Sequence, residues 1–191
     1  MDDLTYTPSA SNSHRLELYT ERFFIEGDVL GPFKRLSDLL NRRESNYLSV
    51  ERAALTPLGQ SAEPRKFDTP ISVGRTHMHF AAPVEEGNPA QSSTAPGREF
   101  YVQKSSHSCY VLTDTFVIRG QCYLHKDTTL HNLLDRPDML FVPITEATLF
   151  LVARPNAAWK RNLVLVNKEK IEVIYLTESP GTKDESAGGK E

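Results

Sequence analysis

The sequence predicts an all-β protein made of two tandem, pseudo-symmetric, five-stranded small barrels, each with one short helical turn. Three observations carry that prediction. Four blocks of residues recur in the same order about 93–94 positions apart. Apolar and polar residues alternate in short runs, the period of a half-buried strand. A stretch rich in Pro, Gly, Ser and acid divides the chain nearly in half, and such a composition buries too little apolar surface to offset its ordering entropy.

These boundaries place one module at residues 14–82, a flexible linker at 83–105 and a second module at 106–178, with disordered tails at 1–13 and 179–191. In each module the first two strands form a hairpin. Leu16 and Leu18 alternate with polar residues, Thr20-Glu21 marks the turn, and Phe23 and Ile25 continue the alternation. Thr113-Asp114, Phe116 and Ile118 repeat this plan. Gly27 and Gly120 fall inside the second strand, where glycine signals a bulge or bend. Leu36, Leu39 and Leu40 have the i, i+3, i+4 spacing of one amphipathic helical turn, as do Leu130, Leu133 and Leu134. Asp38 and Asn41 in the first copy correspond to Asn132 and Asp135 in the second, and are read as local caps and surface pairs of that turn. Third strands follow at Tyr47–Val50 and Phe141–Ile144. The last two strands are Ile71–Val73 with His77–Phe80, and Leu163–Val166 with Ile171–Leu176 around the polar turn Asn167–Lys170. The expected core is Phe23, Ile25, Leu36, Leu40, Val73 and Phe80, with Phe116, Ile118, Leu130, Leu134, Val166 and Val173.

Five short strands bent at a glycine suit a small curled barrel. The stretch Val164–Ile174 resembles the closing strand pair of Sm-like domains, and the plan as a whole is similar to Sm-like or SH3-like barrels. Arg35–Asn41 resembles a motif in bacterial small-barrel domains of unknown function. The resemblance implies a binding module. It does not carry over the Sm-type RNA pocket, which needs an Arg-Gly closing turn. Here those turns read Gly74-Arg75-Thr76 and Asn167-Lys168-Glu169.

A net charge of −3 and a pI near 6.1 lack the basic excess of a dedicated nucleic-acid binder. The two cysteines, Cys109 and Cys122, form no Cys-x-x-Cys pair and no disulfide framework. No apolar run reaches the roughly 18–20 residues of a membrane span, and the acidic start lacks a signal-peptide plan. A cytoplasmic location is therefore expected.

His77-x-His79 has the spacing that puts two rings on one strand face, but it lacks an evident third ligand and is read as two exposed strand residues. Ser105–Cys109 places His107 near nucleophile types without any catalytic signature. No glycine-rich phosphate loop is present. Arg65-Lys66 and Lys160-Arg161 lie before the fourth strand of each copy and, with Trp159, form the candidate interaction edge. An exposed Trp beside basic residues suits a protein hot spot or a stacking surface for single strands.

The expectation is thus a non-enzymatic binding or assembly module that acts through a protein partner and uses no cofactor. An Sm-like nucleic-acid adaptor using the basic edge is the alternative. The two modules are expected to pack on each other, and a homo-oligomer is a candidate state.

Overall fold

The computed structural model describes residues 12–33, 35–42, 44–84 and 104–177. The strands of the first half are β1 (Asn12–Thr20), β2 (Phe23–Gly31), β3 (Tyr47–Pro57), β4 (Arg65–Lys66), β5 (Ile71–Gly74) and β6 (Met78–Pro83). Those of the second are β7 (Lys104–Leu112), β8 (Phe116–His125), β9 (Phe141–Leu151), β10 (Arg154–Asn167) and β11 (Val173–Thr177). Two one-turn helices, α1 (Leu36–Leu40) and α2 (Leu130–Leu134), follow the second strand of each half. Among the described residues no helix is long and apolar enough to cross a membrane.

The protein is all-β, but it is one antiparallel sheet of 11 strands in the order β11-β7-β8-β9-β10-β6-β1-β2-β3-β4, with β5 paired to β3 off that path. The two separate closed barrels expected from the sequence do not form. The strand that would seal the first half, β6, pairs on its other side with β10 of the second, Val166 opposite Phe80 and Leu165 opposite Ala81. The ends assigned to a linker are partly strand, since β6 runs to Pro83 and β7 begins at Lys104. The rest of that span, and both tails, lie outside the described residues apart from the first strand's start.

The local chemistry of the halves runs in parallel. The Thr20 hydroxyl accepts from Phe23 N–H at 3.0 Å, and the Thr113 hydroxyl accepts from Phe116 N–H at 2.9 Å, so one side chain closes each hairpin turn. At Gly27 an added Cβ would lie 2.4 Å from Val50 Cγ1, and at Gly120 it would lie 2.5 Å from Ile144 Cγ2. Both glycines therefore admit the strand opposite. That strand kinks there, because Arg52 and Glu146 adopt left-handed φ of 47° and 51°. The kink lets one long strand serve two neighbours: β3 pairs with β5 before Arg52 and with β2 mainly after it. Arg75 donates to the carbonyls of Leu39 and Leu40 at the end of α1. Lys168 does the same for Leu134 and Arg136 after α2. Each cation thus satisfies helix-end carbonyls that have no intrahelical partner.

Two apolar clusters form the interior, and each borrows from the other half. One joins Tyr19, Phe80 and Ala82 to Phe116, Ile118, Leu149, Val164 and Val166; the other joins Phe141 and Leu165 to Leu16, Ile25, Leu40 and Val73. Most of the expected core is buried. Phe23 and Val173 are instead exposed, at 37% and 49%. Leu130 and Leu134 are half-buried, and Leu133 is the residue of α2 that goes inside.

Candidate functional site: a filled junction and two open edges

The junction between the halves is built from three layers of interaction. Its backbone layer is the β6–β10 pairing. Its polar layer centres on Asn41, just after α1. The Asn41 Oδ1 accepts from the N–H groups of Leu140 and Phe141, each at 2.7 Å, while Nδ2 donates to the Phe141 carbonyl at 3.2 Å. The Arg161 guanidinium grips the nearly buried Glu17 carboxylate through two bonds of 2.6 and 2.7 Å. Breaking one partner of such a pair would leave a charge stranded away from water. Glu17 also accepts from the Tyr19 hydroxyl at 3.2 Å, and burial, then the Glu17 charge, raises that hydroxyl's pKa. Its apolar layer is aromatic: Tyr19 stacks on Phe80 at 4.3 Å and on Trp159 at 5.9 Å, with Phe116 edge-on to both Tyr19 and Phe80.

The predicted interaction edge is divided by this arrangement. Trp159, Lys160 and Arg161 lie on β10 rather than in a loop, with Trp159 turned into the junction. Arg65 and Lys66 form β4 at the end of the sheet, with β6, β1, β2 and β3 between the two groups. Lys160 is exposed, as are Arg65 and Lys66. Asp38 is exposed on α1, while Asn132 is exposed on α2 and Asp135 follows it, exposed and 3.0 Å from the His131 ring.

The His77/His79 pair does not share a face. His77 sits exposed in a 3-10 turn, whereas His79 on β6 is fully buried. Burial lowers the His79 pKa, with Asp114 opposing that shift. His107 lies opposite Cys122 on β7 and β8, and Cys109 and Cys122 are buried. The Cys122 thiol, then burial, raises the Cys109 pKa, which keeps it a thiol and a poor nucleophile.

Two surfaces lie at the ends of the sheet. The outer edge of β5 bounds a groove of about 410 Å³ lined by Phe23, Ile25, Leu55, Ile71 and Val73. At the far end of the sheet, β11 pairs among the described residues with β7 alone and exposes Val173 and Tyr175. The sequence pattern places Phe23 and Val173 in the core, and the structure exposes both. Alternation reports which face of a strand is apolar and says nothing of which edge is paired.

Comparison of the chain with protein-family models, with curated proteins and with solved structures gave no match.

Proposed function

We propose that the protein is a non-enzymatic assembly module, derived by duplication of an Sm-like or SH3-like unit, that joins copies of itself head to tail by adding strand to strand. One observation carries this reading: each of the five large apolar residues that line the open β5 groove has a counterpart in the filled junction. Phe23, Ile25, Leu55, Ile71 and Val73 correspond to Phe116, Ile118, Leu149, Val164 and Val166, against which Tyr19 and Phe80 pack. The counterparts of Tyr19 and Phe80 are Leu112 and Val173, on β7 and β11 at the opposite end of the sheet. A chain therefore carries both a groove and the residues to fill one, but at opposite ends, so the contact is between molecules.

Transferring the register of the internal junction sets Val173 opposite Val73 and Ile174 opposite Ser72 of the next copy. Asp135, the counterpart of Asn41, would accept from the N–H of Asn46 and, displacing the Ser45 hydroxyl that now accepts from it at 3.1 Å, from the N–H of Tyr47; these two are the counterparts of Leu140 and Phe141. Such a contact is heterologous, and it yields a ring if its rotation closes and a filament if it does not. Both exposed edges, which otherwise invite indiscriminate pairing, are then covered.

The test is sedimentation of the full chain together with a directed cross-link. Wild type should sediment as a multiple of the 21.5 kDa chain. Val173→Lys should shift it to monomer while its circular dichroism stays unchanged. The double variant Ser72→Cys/Ile174→Cys should give a ladder of disulfide-linked copies on mild oxidation, and neither single variant should. A wild type that remains monomeric at high micromolar concentration, or a ladder no stronger than that of the single variants, would sink the reading. A mixed complex with another protein at the same edges would replace self-assembly with a different partner.

A further inference from the structure

The hairpin turns of the two halves meet beside β6, and the groups they bring there are unusual. Glu21 comes from the β1–β2 turn, Asp114 from the β7–β8 turn and His79 from β6, and one ligand atom of each lies within 4.8 Å of the others. His79 is fully buried, and neither of its ring nitrogens has a hydrogen-bond partner. Its Nε2 points toward Asp114 Oδ1 at 3.4 Å, beyond a good hydrogen bond. A buried polar group left unpaired is destabilising and is an uncommon thing for a fold to retain. The Phe116 ring, edge-on at 5.3 Å, limits how the imidazole can turn to find a partner within the core.

We propose that Glu21, His79 and Asp114 form a binding site for a first-row divalent cation such as zinc, which ties the two halves together at their junction. The donor set fits such an ion: imidazole nitrogen and carboxylate oxygen are both ordinary zinc ligands, and three protein ligands leave a fourth position for water. The two acids contribute two negative charges against the ion's two positive ones, with the ring neutral. Their side chains are 45% and 57% exposed, so both can move the short distance needed to close around the ion, and the site has a path to solvent. A cation, Lys170, stands beside the site, its ammonium holding Glu21 Oε1 at 2.8 Å. A carboxylate has a second oxygen, so Lys170 competes for Glu21 without closing the site. All three ligands belong to one chain, so the site is complete in a single copy and is tested on the monomer, although Glu21 also borders the β5 groove.

The experiment uses the full chain, stripped with chelator, and zinc or cobalt(II) as the probe. Wild type should bind one equivalent, cobalt(II) should give the visible absorption of a low-coordinate site, and zinc should raise the melting temperature. Asp114→Asn and Glu21→Gln alter exposed side chains and should leave the metal-free melting temperature in place. Each should weaken zinc binding by about tenfold or more, on the scale seen when groups at metal sites are lost. Lys170→Ala should tighten it by releasing Glu21. Zinc binding that is absent, or unchanged in both acid variants, overturns the proposal. So does binding that is lost only when surface histidines such as His131 are replaced.

Discussion

Asn41 and Asp135 occupy the same place in the two halves, and their environments predict opposite consequences of one substitution. Asn41→Ala removes the acceptor of two backbone N–H groups, those of Leu140 and Phe141, each held at 2.7 Å. Phe141 is completely buried and Leu140 half-buried, so water cannot fully replace the lost oxygen. A buried donor left without a partner costs about 1–3 kcal/mol, and with one of the two partly solvated the sum is about 2–4 kcal/mol. For a domain of this size that is a fall of about 4–15 °C in melting temperature. Asp135→Ala removes a side chain that is 65% exposed and pairs with the exposed His131 ring. An exposed pair of that kind contributes at most about 1 kcal/mol, so the dilute protein should melt within a few degrees of wild type. Its defect should appear in assembly instead, as a weaker association measured by sedimentation across a dilution series. Urea denaturation with both variants, under dissociating conditions, is the assay. Equal losses at the two positions, or an Asn41→Ala loss below about 0.5 kcal/mol, would refute the claim that one position is a filled junction and the other an open copy of it.

Two further outcomes follow from the interior. Gly120→Ala would place a Cβ 2.5 Å from Ile144 Cγ2 and 2.7 Å from the Thr145 carbonyl oxygen, which belongs to the backbone and cannot turn aside. The variant should lose about 1–3 kcal/mol or more in urea denaturation, and a neutral result would mean the β8–β9 bulge opens freely. Leu40 is completely buried and Leu134 only partly. Leu40→Ala should therefore cost about 2–5 kcal/mol and Leu134→Ala distinctly less, and a reversed order would show that α2 rather than α1 plugs the interior.

What the sequence made legible is what short-range chemistry determines. Thr20 and Thr113 announce their hairpin turns because a side-chain oxygen two or three residues upstream can satisfy the turn's N–H groups. Gly27 and Gly120 announce a bulge, and the strand register does shift at each, where an added Cβ would collide with Val50 or Ile144. The leucine spacing finds both helical turns. The long strands were foreshortened, since β3 continues past Val50 to Pro57 through Arg52. A left-handed φ in a non-glycine residue leaves no compositional mark. The sequence places Trp159 in a loop before the fourth strand, yet β10 runs from Arg154 through Asn167 with Trp159 and Arg161 turned to the junction and Lys160 outward.

Phe23 and Val173, which the sequence pattern places in the core, are exposed for a different reason, and that reason bears on function. Their apolar character is that of Phe116 and Phe80, the residues they match, and those are fully buried. Nothing intrinsic to the two pairs explains why one is covered and the other is not. The difference lies in neighbours: β6 has β10 beside it, whereas among the described residues β11 and β5 have no strand on their outer edges. An apolar residue kept at an exposed sheet edge, beside a groove of matching composition, is costly for a monomer in solubility and in exposed backbone groups. That cost disappears if the edge is covered, and the internal junction shows a geometry in which it can be. The mismatch between pattern and exposure thus points outward from the single chain, toward the copy that would supply the missing strand.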